Sequence, residues 1–321
     1  MNGRIVTVTG DITADSLEYC QSHEHILLRK GHSYEVNHAL CMDDPAKSLR
    51  ELQDYYKAGG RSIVDAQPVG CGRMAEELRD ISEASRVKII ASTGFHKLLF
   101  YPEDHWIRKC GAEELAELWT AELEDGMYED GDQSFPQEKT NIRAGQIKTA
   151  LDWQGVTGRY RVLFAAAFRT AKETGAPIMV HVEQGSDPRK LIGVAKEAHI
   201  PAEQMIFCHM DRAVPDLRIH REIARTGAYL EYDTIGRWKY HSDREEIKIL
   251  QGMIGKGFED RLLFSLDTTA LRLGAYDGGE ITLCYILDHF ISMMSEAGIS
   301  DTVIGKISQE NPSRAFVQRR T

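Results

Sequence analysis

Short apolar runs, rich in β-branched residues and bounded by glycine, proline or polar clusters, recur along the chain. They fall at 17–22, 62–65, 88–93, 144–148, 177–182, 204–209, 228–233 and 261–267. Runs of this length and composition predict buried strands. Between most of them lie stretches with helical spacing of apolar positions, such as DPAKSLRELQDYYKAGG, AEELRDISEASR, AEELAELWTAELEDGM, RVLFAAAFRTAKETGA, DPRKLIGVAKEAHI and EIKILQGMIGKG. Asp44-Pro45 and Asp187-Pro188 read as an N-cap followed by proline in the first helical turn. Eight strands alternating with helices predict parallel βα units closing into an α/β (β/α)8 TIM barrel, a single domain over residues 1–321. The segment IVTVTG predicts a short N-terminal β-hairpin that plugs the barrel's bottom. The stretch 101–141 is too long for one connection and is expected to hold two helices and a loop. A doubly wound open sheet is the alternative, but no GxGxxG turn supports it.

Composition adds little to this and excludes some classes. Over 321 residues, 42% are hydrophobic and 27% charged, ordinary for a globular protein. A net charge of −10 argues against nucleic acid or a membrane surface as partner. The six cysteines are scattered without a CxxC pair, as in reduced cytosolic proteins. The N-terminus lacks the layout of a signal peptide, and no apolar run approaches the roughly 18 residues of a membrane span. A cytoplasmic location is the expectation.

Barrel chemistry sits at the C-terminal ends of the strands. Read in order, those ends offer His23 and His25, Asp65, His96, Lys148, His181 with Glu183, His209, Asp233 and Asp267. His-x-His in CQSHEHILL puts two imidazoles on one side of a strand. Each histidine alone reads as a hydrogen-bonded core residue. Four of them with Asp267 read as ligands, and imidazole with carboxylate suits Zn, Mn, Fe or Co. That set is too large for one open catalytic zinc, so two divalent ions are the natural reading. For Lys148 three readings stand: a carbamate formed with CO2 that bridges two ions, a Schiff-base lysine as in barrel aldolases, or an ion pair with Glu183 or Asp233.

The sequence resembles the phosphotriesterase family of the amidohydrolase superfamily. HEH after the first strand, GQIK on the fourth, a histidine on the fifth, HMDR on the sixth, DTIG on the seventh, SLD on the eighth and the closing ISQENPSRAF carry the likeness, which runs nearly end to end. The resemblance implies a barrel with two divalent metals, zinc foremost. His23, His25 and Asp267 would hold the more buried ion, His181 and His209 the more exposed one. N6-carboxylysine at Lys148 and a hydroxide would bridge them. A homodimer is also implied. Many lactonases of the family carry a tyrosine after the third strand where this chain has His96, which would either donate the same hydrogen bond to the substrate carbonyl or line the pocket.

The loops after strands seven and eight carry Arg237, Lys239, Arg272 and Tyr276, suitable donors to phosphate, and resemble the branch that hydrolyses phosphorylated sugar lactones. The expected reaction is hydrolysis of a small polar lactone, a sugar lactone with or without phosphate, by attack of the bridging hydroxide. Asp267 moves the proton, and His96 is a second donor to the oxyanion. Asp211 is expected to orient a ligand histidine or relay protons, Asp233 to stand behind the ligands near Arg237, and Glu183 to serve as a reserve bridging carboxylate. Organophosphate triesters and acyl-homoserine lactones are alternative substrates, although the charged loops argue against their apolar pockets. A Schiff-base aldolase using Lys148 and a non-catalytic binding barrel are further alternatives.

Overall fold

The apolar runs become short, buried, parallel strands whose order around the sheet follows their order in sequence. The computed structural model describes residues 3–276 and 278–319. An antiparallel hairpin comes first, β1 (Arg4–Thr7) and β2 (Gly10–Thr13). Then come β3 (Cys20–Glu24), β4 (Ser62–Asp65), β5 (Lys88–Ile90), β6 (Ser92–Gly94), β7 (Gln146–Leu151), β8 (Ile178–Val182), β9 (Met205–Cys208), β10 (Tyr229–Tyr232) and β11 (Leu262–Phe264). One run pairs in the order β3-β4-β5, the other in the order β6 to β11. The two halves of the expected third strand are β5 and β6, interrupted at Ala91, whose carbonyl accepts from Gly145 N at 2.9 Å. Counting that broken strand once gives the eight positions of a TIM barrel.

Intervening helices follow the expected segments. Asp44 accepts from Ala46 N and Lys47 N at the start of Pro45–Ala58, and Gly59 ends that helix at φ 114°. Asp187 caps Pro188–Glu197 in the same way. The stretch 101–141 differs from expectation. It holds one α-helix, Ala112–Glu124, and a short 3-10 turn, Trp106–Arg108. The rest is irregular and organised by the buried Arg73–Glu122 pair, which also takes in the Ser92 and Tyr128 carbonyls. Among the described residues no helix is long and apolar enough to cross a membrane.

Ile5 of the hairpin packs with Leu17, Val64, Ile90, Met179, Ile206, Leu263 and Phe316 in a buried cluster at the barrel's floor, so the hairpin does plug the bottom. Gly145 allows the close approach, since a Cβ there would collide with the Val6 carbonyl.

The seam between the first and last barrel strands, β3 and β11, is closed mainly by side chains. His23 N donates to Ser265 Oγ at 3.0 Å, and Asp267 N donates to the His23 carbonyl at 3.2 Å. The buried Glu24 carboxylate accepts from Gln21 Nε2, Ser265 Oγ, Leu266 N, Thr268 N and Thr268 Oγ1 at 2.6–3.0 Å. Burial raises the Glu24 pKa, and these hydrogen bonds oppose the rise. The middle residue of His-Glu-His thus points away from its neighbours' face and ties the barrel shut.

Removing that acceptor strands several buried donors at once. Glu24→Ala is expected to lower the unfolding free energy by about 3–5 kcal/mol, and Glu24→Gln by less, read from urea denaturation midpoints. Wild-type stability in Glu24→Ala would mean that the seam does not depend on this group.

Candidate metal centre

The mouth of the barrel gathers imidazoles from β3, β8 and the turn after β9. Nε2 of His23 lies 3.7 Å from Asp267 Oδ1, and Nε2 of His25 lies 3.6 Å from the same oxygen. Nδ1 of His181 lies 2.8 Å from Nε2 of His209. Two of these residues occupy backbone conformations that side chains disfavour: His209 at φ 62° and Asp267 at φ 51°. Such positions cost of order 1–3 kcal/mol each and persist where surrounding structure enforces them. Both follow a strand directly or closely, where a sharp turn is needed to aim the side chain across the mouth.

The outer nitrogens of two rings meet carboxylates. Asp233 Oδ1 stands 2.7 Å from His209 Nδ1, while its Oδ2 accepts the His209 backbone N–H at 3.0 Å. Glu183 Oε2 stands 3.2 Å from His181 Nε2. A neutral imidazole carries one proton, and a carboxylate on one nitrogen draws the proton there. Arg212 reaches the same place: one Nη2 proton goes to Asp267 Oδ2 at 2.7 Å, the other nitrogen Nη1 donates to Asp233 at 2.9 Å, and Nη2 also lies 2.7 Å from His209 Nδ1. The inner nitrogens, His209 Nε2 and His181 Nδ1, converge to 2.8 Å across the mouth, where they share a proton or a cation. Burial lowers the pKa of every one of these rings: His25 and His181 to about 4, His23 and His209 well below the usual value. Neutral, converging imidazoles with a carboxylate are a donor set that fits divalent cations.

Lys148 sits deeper than expected. It is the third residue of β7 rather than its end, because Thr149, Ala150 and Leu151 continue the pairing with Val180, His181 and Val182. Its side chain is fully buried, with Nζ 3.2 Å from His23 Nε2 and 3.6 Å from Met179 Sδ. Gly94 makes room beside it: at φ 96°, a Cβ there would collide with the Lys148 carbonyl. Among the described residues Lys148 has no carboxylate within 4.0 Å, so the ion pair with Glu183 or Asp233 does not form. Glu183 pairs with Lys97 at 2.5 Å and Asp233 with Arg212.

Around a central cavity of about 210 Å3 stand His23, His25, His96, Lys97, His181, Glu183, His209, Arg212, Arg237, Tyr240 and Asp267. His96 Nδ1 accepts from Lys97 N at 2.7 Å, which leaves its proton on Nε2, and burial keeps the ring neutral. Asp267 receives hydrogen bonds from both Arg212 and Arg237. Burial would raise its pKa, but Arg237 first and Arg212 next outweigh that and hold the carboxyl well below the usual range.

Other expected residues lie elsewhere. Lys239 is exposed, with Nζ over the Tyr240 ring, and lines a neighbouring cavity of about 370 Å3 together with Arg237 and Arg272. Arg272 donates to the carbonyls of Leu266, Asp267 and Ile235. Tyr276 is held away from the centre by Ser48 and the Asp44 carbonyl, at 2.5 and 3.0 Å. Asp211 touches no ligand imidazole. It accepts from Thr234 N at 2.7 Å and gathers with His241 and Glu246, and Asp233 takes the histidine-orienting place instead. Sequence reading left Arg212, Lys97 and Glu24 without a role, although Arg212 stands inside the quoted HMDR.

Comparisons with known proteins give the family. The profile of the phosphotriesterase family matches residues 3–316. A phospho-furanose lactonase of Mycoplasmopsis synoviae is 27% identical, covering 98% of this chain and 92% of its own. An N-acetyltaurine hydrolase of Danio rerio is 27% identical over 98% of both chains. The crystal structure of a lactonase from Listeria monocytogenes superposes with TM-score 0.89 at 28% identity, covering 99% of this chain and all of the other. With the barrel and its ring of buried imidazoles, the match over nearly the whole length places this chain in the phosphotriesterase family of metal-dependent hydrolases.

Proposed function

We propose that the chain opens a small polar lactone, a sugar lactone bearing phosphate, with two divalent ions, zinc foremost. His23, His25 and Asp267 would hold the inner ion, His181 and His209 the outer one, and Lys148, if carboxylated, would serve both. The observation that carries the reading is the convergence of two buried imidazole nitrogens to 2.8 Å, with a carboxylate behind each ring and His23, His25 and Asp267 beside them. A buried lysine amine against His23, with no carboxylate partner within 4.0 Å among the described residues, supports carboxylation. When bound, the ions supply Lewis acidity toward the carbonyl and an acidified water.

The chain's own side chains do the rest. Asp267, aimed by Arg212 and Arg237, accepts the proton of the attacking water and returns it to the leaving alkoxide. His96 donates from Nε2 to the carbonyl oxygen as negative charge gathers there. The adjoining cavity shares Asn37, Arg237 and Thr269 with the central one, and its Arg237 and Lys239 suit an anionic arm of the substrate. The relative named for phospho-furanose lactones supports phosphate as that anion. The relative named for N-acetyltaurine favours including an acyl amide with a sulfonate in the screen.

A hydrolysis screen of aldonolactones with and without phosphate, homoserine lactones, an aryl phosphotriester and N-acetyltaurine, with bound metal quantified, tests the reading. The phosphorylated lactone is expected to have the highest kcat/KM, and full activity after chelation of all metal would refute it. His209→Ala is expected to lose the outer ion and at least about 1,000-fold in kcat. Lys239→Ala, remote from Asp267, is expected to raise KM about tenfold for the phosphorylated lactone only. Equal losses on neutral lactones would remove Lys239 from anion recognition.

A pH dependence follows for the metal-stripped protein. His25 and His181 titrate near 4 when folded and near the usual 6.5 when unfolded, so between these values the unfolded chain binds more protons. Their stabilisation is complete above pH 6.5 and is lost as pH falls toward 4, by roughly 2 kcal/mol for each ring at pH 5. Urea midpoints at pH 7 and 5 give the comparison, and an unchanged midpoint would contradict neutral burial of these rings.

A further inference from the structure

Two ligand imidazoles are backed by the same three-part arrangement. For His209 it is Arg212–Asp233–imidazole: Arg212 Nη1 to Asp233 Oδ1 at 2.9 Å, then Asp233 Oδ1 to His209 Nδ1 at 2.7 Å. For His181 it is Lys97–Glu183–imidazole: Lys97 Nζ to Glu183 Oε2 at 2.5 Å, then the same oxygen to His181 Nε2 at 3.2 Å. The first is buried within the barrel. The second stands at the rim, where Lys97 and Glu183 side chains are 18% and 29% exposed, and a pair of that exposure adds little to stability on its own.

Yet both of its members are held. Glu183 N donates to the Leu151 carbonyl at 3.0 Å, and the Glu183 carbonyl accepts from Ser186 N and Oγ at 3.0 and 2.7 Å. Lys97 N is bound to His96 Nδ1, and Lys97 Nζ lies 5.4 Å from the Phe100 ring centre. The ammonium is thus tied to the segment after β6, while the carboxylate is tied to the end of β8.

The geometry points to Lys97 as a positioning residue for the outer metal ion: by holding Glu183 against His181 Nε2, it fixes the ring's proton there and keeps the Nδ1 lone pair aimed at the ion shared with His209. This rests on the two-ion reading above. Lys97 also faces the central cavity, so a direct contact with substrate is the competing role. The two roles differ in what they change: one sets ion affinity, the other sets KM.

The test equilibrates the full chain with zinc in a metal-buffered solution and measures zinc per chain by atomic absorption, with steady-state kinetics alongside. Wild type is expected to hold two ions. Lys97→Met and Glu183→Ala are expected to keep the inner ion and to bind the outer one about 10–100-fold more weakly. Lys97→Arg, which preserves the cation, restores most of the affinity, and Glu183→Gln, a weaker neutral acceptor, falls between and serves if Glu183→Ala does not fold. Wild-type affinity for both ions in Lys97→Met and Glu183→Gln overturns the inference, and so does a Lys97→Met variant that changes KM alone. If wild type itself binds fewer than two ions, the two-ion reading fails and this inference falls with it.

Discussion

Lone pairs on two imidazole nitrogens repel when they face each other at 2.8 Å unless a positive charge is shared between them. At that distance His181 Nδ1 and His209 Nε2, at the mouth of this barrel, share either a proton or a cation. Asp233 and Glu183 stand against the far nitrogens of the two rings, and burial keeps the rings neutral. His209 and Asp267 occupy left-handed backbone conformations to present their side chains across the opening. Each of these features is unfavourable or costly alone, and together they have one purpose, concentrating donor electrons on a small volume. Such strain gathers where function requires it.

The scaffold supports this with paired charges rather than apolar packing alone. Asp267 is gripped by two guanidiniums, and Asp233 is shared by a guanidinium, a ring and a backbone N–H. Glu231 lies beside Asp233 behind His23 and is held in turn by Ser22 and Cys208. The apolar cluster of Ile5, Val64, Ile90, Met179, Ile206, Leu263 and Phe316 fills the floor beneath, and polar chemistry begins above it.

Much of this was legible in the sequence because strands are short and side chains alternate. Strand 62–65 was read at its observed limits, and His23, His25, His181, His209 and Asp267 were read at strand ends, where the structure brings His23 and His25 to Asp267 and His181 to His209. Errors arose where local pattern was silent. Threonine and alanine after Lys148 looked like a strand end, and only pairing with β8 shows otherwise. Between Asp211 and Asp233, sequence proximity favoured Asp211 as the brace of His209, but the fold brings Asp233 across from the neighbouring strand. Arg272 and Tyr276 looked free to meet substrate because carbonyl partners leave no mark in a sequence. Glu24 escaped notice for the same reason: its partners lie on the last barrel strand and just beyond it.

That seam has a further consequence. Glu24 and His23 reach partners 241–244 positions away along the chain, an ordering cost of about 5 kcal/mol in loop entropy alone. While the polypeptide is still emerging from a ribosome, His23 and His25 have no Asp267 to join. The grouping of these three side chains therefore waits until synthesis has passed the eighth barrel strand.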